Sequence, residues 1–172
     1  GHFLNLTTGN AYYSFNEDNV ISEFNFDTKK TKSEEFTYIN YRPLEISCDF
    51  NIDLMSWSVS QEHQDKDYTF DEIELENHAN TELMCQMLKS KYAFHNGGWI
   101  FYGDIAGNQR HPEASRTNWA IIREQFPNAQ IYYQSIKNIK DRIDATNARL
   151  KDSKGVIRAF VTKNCTRLVK DY

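Results

Sequence analysis

The sequence has few of the residues that cross-link a chain or interrupt its secondary structure: 3 Cys, 3 Pro and 7 Gly among 172 residues. The cysteines are odd in number, lie far apart and form no CxxC pair, which argues against a disulfide framework and a structural zinc site. No apolar run approaches the roughly 20 residues that span a membrane, and no signal-peptide pattern is present. These absences predict a globular protein of a reducing cytoplasm, with no membrane partner.

The net charge of −4 is too negative for indiscriminate binding to nucleic acid, but the charge is unevenly distributed along the chain. Residues 1–104 include 7 basic and 18 acidic residues, a net charge of −11, whereas residues 105–172 include 13 and 6, a net charge of +7. A basic segment beside a carboxylate-rich one suits metal-dependent chemistry on a phosphate backbone. Two solvated surfaces of opposite sign would explain the same asymmetry, so composition leaves both interpretations open.

The order of the elements predicts an α/β fold with a mixed central sheet. Alternating apolar and polar residues predict an antiparallel meander of three strands, at 44–50, 55–60 and 68–75. Helices and strands alternate afterwards: a helix from Thr81 to about residue 94, strand 99–104, helix 116–126, strand 129–134, helix 139–150, strand 156–161 and a last helix from residue 165. A meander followed by parallel strands and crossover helices gives one sheet flanked by helices.

Two aspartates stand at the ends of apolar strands. The short aromatic run Trp99–Asp104 predicts a buried strand, and Asp104 lies at the point where this strand ends and a loop begins. The small residues Gly103 and Gly107 would leave space around the carboxylate of Asp104. Asp49 ends the first strand of the meander in the same way. If these two strands are parallel neighbours, both carboxylates project from one edge of the sheet, where Mg²⁺ or Mn²⁺ would relieve their repulsion. For Asp104, a loop-capping role or an ion pair is the alternative.

Several short segments, taken in order, resemble the C-terminal nuclease domain of bacteriophage large terminase subunits. They are residues 48–55, 70–73, 102–108, 118–119 and 141–148, and the likeness extends over residues 1–172. The resemblance implies an RNase H-like fold, with a connector arm over residues 1–40 and a nuclease domain over residues 41–172 that lacks its final C-terminal helix. It also implies an activity, the metal-dependent endonuclease cleavage of concatemeric viral double-stranded DNA during genome packaging.

The resemblance also implies roles for individual residues. Asp49 and Asp104 match two catalytic ligands of a site for two Mg²⁺ or Mn²⁺ ions, and the third ligand of the family would lie in a helix beyond Tyr172. Asp53 is a further candidate, through a metal-bound water, although a turn-forming role is the simpler interpretation. Candidate contacts to the DNA backbone, each of which would serve equally well as a solvated charge, are Arg110, His111, Arg116, Lys137, Lys140, Arg142 and Arg149.

The partners and the location follow from the same resemblance. An ATPase motor domain would precede these residues in a longer polypeptide, in agreement with a sequence that lacks GxxxxGK(S/T) and does not begin with Met. The portal and the small terminase subunit would be further partners, and the protein would act in the cytoplasm of a bacterial host, transiently at the viral procapsid. Two other functions fit the residues: another RNase H-like nuclease, such as a junction resolvase or transposase core, and a non-catalytic module that docks on DNA or a portal ring.

Overall fold

The computed structural model describes residues 11–22, 24–25, 36–51, 53–77, 80–108, 116–134 and 138–172. The strands are β1 Val20–Ile21, β2 Phe24–Asn25, β3 Phe36–Thr37, β4 Leu44–Asp49, β5 Leu54–His63, β6 Lys66–Glu76, β7 Trp99–Asp104, β8 Gln130–Gln134 and β9 Ala159–Thr162. The helices are α1 Thr81–Lys91, α2 Asn118–Gln125, α3 Ile139–Leu150 and α4 Thr166–Asp171, and 3₁₀ turns occupy Glu17–Asn19 and Ile105–Asn108.

Seven strands form one mixed sheet in the order β1-β9-β6-β5-β4-β7-β8. Strands β4, β5 and β6 are antiparallel neighbours, while β7 and β8 extend the sheet in parallel from β4, and β9 pairs in parallel with β6. The predicted fold, a meander within a mixed sheet flanked by helices, is confirmed. Strands β5 and β6 are longer than predicted because they continue to a tight turn in which Gln64 and Asp65 have φ angles of 52° and 61°.

The core lies between one face of this sheet and the helices α1 and α2. Successive side chains of a strand point to opposite faces, so alternate residues of β4 and β5 are buried against the helices. The large apolar side chains buried there include Leu44, Ile46, Met55, Trp57, Val59, Met84, Leu88, Trp119 and Ile122. The opposite face, which carries Glu45, Ser47 and Asp49 on β4, is called the outer face below.

A bulge explains why the third strand of the meander does not alternate regularly. The register between β5 and β6 shifts after Val59, which pairs with Asp71, while Ser60 pairs with Thr69. Phe70 is therefore the extra residue on β6, and its side chain is fully buried. The bulge turns Phe70 into the core.

Some predicted bounds are wrong by a few residues. The strand predicted at 156–161 is β9 at Ala159–Thr162, because the Asp152 carboxylate accepts hydrogen bonds from the backbone N–H groups of Lys154 and Val156 and holds this segment in a turn. Helix α1 ends at Lys91 instead of residue 94. Helix α2 begins at Asn118, since Thr117 caps it through the N–H of Ala120. The sequence pattern predicts a turn at residues 8–10 and a charged surface segment at residues 27–35, and both lie outside the described residues.

The residues that precede the meander contact the last part of the chain. Asn19 is buried and its amide donates to the carbonyl oxygens of Leu150 (2.8 Å) and Ala159 (2.9 Å), and β1 pairs with β9. A domain boundary at residue 40 stays a prediction. The three cysteines are buried free thiols. In the part of the chain that the structure describes, every helix is too short or too polar to cross a bilayer.

Candidate active site

Asp49 and Asp104 end two neighbouring parallel strands. In the register of β4 with β7, Cys48 lies opposite Gly103, and the next residue on each strand is an aspartate. Cys48 is buried against the helices, so the alternation of the strands turns both aspartates toward the outer face. The condition stated from the sequence, that the two strands be parallel neighbours, is therefore met. The edge of the sheet where β4 and β7 end is called the carboxylate edge below.

The electrostatic environment of Asp49 is unfavourable for its charged form. Partial burial raises the pKa of Asp49 above its ordinary value, the N–H of Asn51 lowers it, and the charge of Asp104 raises it further. No ion pair among the described residues includes either carboxylate. Two like charges that interact and lack a basic partner are what a divalent cation with oxygen ligands would stabilise.

Trp119 supports both strand ends from the helical side of the sheet. Its indole N–H donates to the backbone carbonyl of Asp104 at 2.9 Å, and its fully buried ring meets the ring of Phe50 edge-on, with centroids 4.9 Å apart. Phe50 directly follows Asp49. The Asp104 carboxylate also accepts a hydrogen bond from the N–H of Ala106 at 2.9 Å. These contacts fix the backbone at both aspartates, a role for Trp119 that the sequence analysis missed because no local pattern signals it.

The glycines near Asp104 make room for the indole ring and not, as the sequence suggested, for the carboxylate. A Cβ on Gly107 would lie 2.5 Å from Nε1 of Trp119, and one on Gly103 would lie 2.9 Å from Cζ2 of the same ring. Both distances are far shorter than ordinary van der Waals contacts. The small residues on either side of Asp104 are thus a packing requirement of Trp119.

Asp53 lies in the turn between β4 and β5. Its N–H donates to the side chain of Asn51 at 3.4 Å, and its carbonyl accepts from the N–H of Asn77 at 3.2 Å. Across the described ranges, His, Cys, Asp and Glu side chains nowhere gather in a group of three that could hold a metal ion. The structure therefore brings together Asp49 and Asp104, without Asp53 as a third member.

Two of the predicted DNA contacts form ion pairs within the protein. Arg116 contacts the carboxylates of Glu82 and Glu124 and so connects α1 with α2. Arg149 contacts Asp67, with an Nη2 to Oδ2 distance of 2.7 Å. In both cases the guanidinium already has a carboxylate partner.

The other predicted DNA contacts are placed as follows. Lys140 and Arg142 are exposed on the first turns of α3. Arg110, His111 and Lys137 lie outside the described residues. The role of each of these residues in binding DNA stays a prediction.

Among the comparisons with known proteins, the one with solved structures finds a similar fold. No protein-family model and no curated protein matches the sequence. The large terminase of a thermophilic bacteriophage, in crystal form 2, matches 94% of this chain with a TM-score of 0.59 and 13% sequence identity, over 35% of its own length. Two structures of the same terminase in crystal form 3, the second in complex with ADP, match 95% of this chain with TM-scores of 0.56 and 0.57, at 13% identity and over 37% of their length.

The match is one of structure more than of sequence. At 13% identity the likeness shows a common fold, and the chain spans about a third of the length of the terminases that it matches. The mixed sheet of this protein, with β4 and β7 as parallel neighbours at its centre, therefore has the RNase H-like fold that is also present in a phage large terminase.

Proposed function

We propose that this chain is a divalent-metal-dependent DNA endonuclease, with the role of the nuclease part of a phage large terminase. The observation that carries the proposal is the carboxylate pair, Asp49 and Asp104, at adjoining strand ends of a terminase-like fold. The lack of a basic partner for the pair among the described residues further supports it. A carboxylate pair without a cationic neighbour is costly unless a cation binds between its members.

The donor chemistry of the pair fits Mg²⁺ or Mn²⁺. Both ions prefer hard oxygen ligands, and they commonly bind through one or two carboxylates together with water and phosphate oxygens. Asp49 and Asp104 would hold the ions, two in number if the site follows the terminase pattern. When bound, such ions supply a water of lowered pKa and stabilise the leaving 3′ oxygen in phosphodiester hydrolysis. Trp119 and the turn after Asp104 keep the carboxylates in place.

The proposed substrate is concatemeric viral double-stranded DNA, cut during genome packaging. Contacts to the phosphate backbone carry no base information, so cleavage is expected to show little sequence preference. The net charge of −4 opposes the approach of a polyanion, so we expect weak affinity, with an ATPase motor domain of the same polypeptide delivering the DNA. The portal and the small terminase subunit complete the proposed set of partners.

The test compares the cleavage of plasmid and linear duplex DNA in Mn²⁺ by the wild type, Asp49→Asn and Asp104→Asn. Each substitution keeps the size of the side chain and removes its charge, and we expect cleavage to fall on the order of 100-fold or more. Asp65→Asn is the matched control, because Asp65 lies in the turn at the opposite edge of the sheet and contacts Arg149 and Arg158. It should cleave like the wild type.

Three outcomes would contradict this assignment. Equal cleavage by Asp104→Asn and the wild type would show that Asp104 takes no part in the reaction. Titration calorimetry that detects DNA binding but no Mn²⁺ binding would point to a docking module. A strong preference for branched over linear duplex DNA would instead indicate a resolvase-like nuclease.

A further inference from the structure

A second polar cluster lies at the carboxylate edge, on the side of the sheet that faces α2. Tyr133 of β8 is in register with Gly103, one residue before Asp104. Its ring stacks on Trp119, with centroids 5.4 Å apart and planes at 22°. Tyr133 thus belongs to the same aromatic group that fixes the backbone of Asp104.

Three elements converge on the hydroxyl of Tyr133. Polar interactions with the side chains of Asn108 and Arg123 lower the pKa of Tyr133 below its ordinary value. Asn108 closes the 3₁₀ turn that follows Asp104, and Arg123 is an exposed residue of α2 whose Cζ lies 5.7 Å from the centroid of the Tyr133 ring. The guanidinium therefore lies over a ring that is itself stacked on Trp119.

The charge of Arg123 lies beside the Tyr133 ring and is not neutralised by an ion pair among the described residues. Within the described ranges Arg123 takes part in no ion pair, whereas Arg116, Arg149, Arg158 and Arg167 each contact two carboxylates. A guanidinium that lies over an aromatic ring and has no carboxylate partner in the described part of the chain is suited to binding phosphate oxygens. Its planar array of N–H donors matches the spacing of two phosphate oxygens.

We propose that Arg123, which lies over the ring of Tyr133, binds a backbone phosphate of the DNA that lies against Asp49 and Asp104. The inference rests on the proposed nuclease function for the identity of the anion. It gives the carboxylate edge a fixed cation, which an acidic protein needs there if a polyanion is to approach two negative side chains. Because the contact is to phosphate, it adds affinity without sequence preference.

The experiment measures binding of a labelled duplex oligonucleotide by fluorescence anisotropy, without divalent metal and over a series of salt concentrations. Loss of one phosphate contact reduces the slope of log K against log salt by about 0.9 for duplex DNA. We therefore expect Arg123→Gln to show this smaller slope and to bind several-fold more weakly at low salt. Arg123→Lys, which keeps the charge, should retain the wild-type slope.

Two further variants distinguish the effect of the position of Arg123 on DNA binding from the effect of the protein's overall charge. Tyr133→Phe keeps the charge of Arg123 but removes the hydroxyl that orients it, so we expect weaker binding with an unchanged slope. Lys154→Gln is the matched control, because it removes one exposed positive charge from the turn before β9, at the opposite edge of the sheet. It should leave both the affinity and the slope unchanged.

A wild-type slope for Arg123→Gln, or an equal loss of slope for Lys154→Gln, would overturn the proposed phosphate contact. Undetectable binding by the wild type at low salt would overturn it as well. The nuclease proposal fails by a different result, namely cleavage by Asp104→Asn at the wild-type rate. Since the binding assay contains no divalent metal and reads no cleavage, the two failures are distinguishable.

Discussion

The two edges of the main sheet use their carboxylates in opposite ways. At the edge where β5 turns into β6 and β9 begins, Asp65, Asp67 and Asp152 form ion pairs with Arg149 and Arg158, at N to O distances of 2.7–3.3 Å. This side is called the ion-pair edge below. At the carboxylate edge, the two strand-end aspartates have no such partner among the described residues. Aspartate side chains thus stabilise the ion-pair edge through basic partners, whereas the negative charges of Asp49 and Asp104 have no basic partner among the described residues.

The pKa shifts at the two edges express this difference. Arg158 and two backbone N–H groups lower the pKa of Asp152 to about 2, so the folded state favours its charged form. Partial burial and the charge of Asp104 raise the pKa of Asp49, so the folded state disfavours its charged form. Such uncompensated groups are typical of functional sites, where a ligand completes the interaction.

The strongest test of this contrast separates stability from activity at the two edges. Asp104→Asn should reduce cleavage on the order of 100-fold or more, yet leave the metal-free protein at least as stable, because it removes a like charge next to Asp49. Arg158→Gln should retain cleavage and be slightly less stable than the wild type, as expected for a partly exposed ion pair. Thermal unfolding and a plasmid assay check both. Marked destabilisation by Asp104→Asn would assign the carboxylate a structural role.

A pair of glycine substitutions sharpens the same contrast. Gly107→Ala would force a methyl group against Trp119 and should cost about 1–3 kcal/mol, with a loss of cleavage because the turn after Asp104 shifts. Gly155 has a φ of 79°, and no heavy atom of the described residues lies within 4 Å of the place that a Cβ would take, so Gly155→Ala should cost about 1 kcal/mol of backbone strain. Denaturant unfolding gives both values. If Gly155→Ala impaired cleavage as much, the link between Trp119 and the carboxylates would be wrong.

A smaller effect is expected from Trp119→Phe, which keeps an aromatic ring but removes the hydrogen bond to Asp104. The lost bond should cost about 1 kcal/mol, and a less firmly held Asp104 should raise the Mn²⁺ concentration required for half-maximal cleavage up to about tenfold. The readout is a Mn²⁺ titration of the cleavage rate, which a purely structural role would not shift. Trp57→Phe, a fully buried ring of the same core, is the control and should leave that concentration unchanged.

The weakest effect concerns acid stability at the ion-pair edge. The pKa of Asp152 is about 2 in the folded protein against an ordinary value of 3.8, so its stabilisation is fully present above about pH 5 and is lost as the pH falls toward 2. Asp152→Asn should therefore be less stable than the wild type near neutral pH, with the difference closing on acidification. Urea unfolding at several pH values measures it. A difference independent of pH would show that the hydrogen bonds of the turn, and not the charge, stabilise this edge.

Local patterns were sufficient for most elements of this fold. The helix predicted at 139–150 has these bounds in the structure, since its apolar stripe and flanking polar residues are local features. The bulge at Phe70 was missed because it depends on pairing with β5, and the late start of β9 was missed because it depends on how Asp152 bonds the turn before it. The ion pairs of Arg116 and Arg149 were missed because carboxylate partners such as Glu82 and Asp67 are distant along the chain.

That two carboxylates follow apolar strands could be read from the chain alone, because an abrupt end of an apolar run is visible over a few residues. The folded structure was needed to establish that these strands are parallel neighbours in register and that Trp119 contacts both of their ends. It also showed that Arg123 lies beside Tyr133 without an ion pair among the described residues. The physical reason is that backbone conformation follows from local side-chain patterns, whereas the pairing of strands and charges is chosen by packing the whole core. The candidate site combines residues of β4, β7, β8 and α2, and its arrangement therefore depends on that packing.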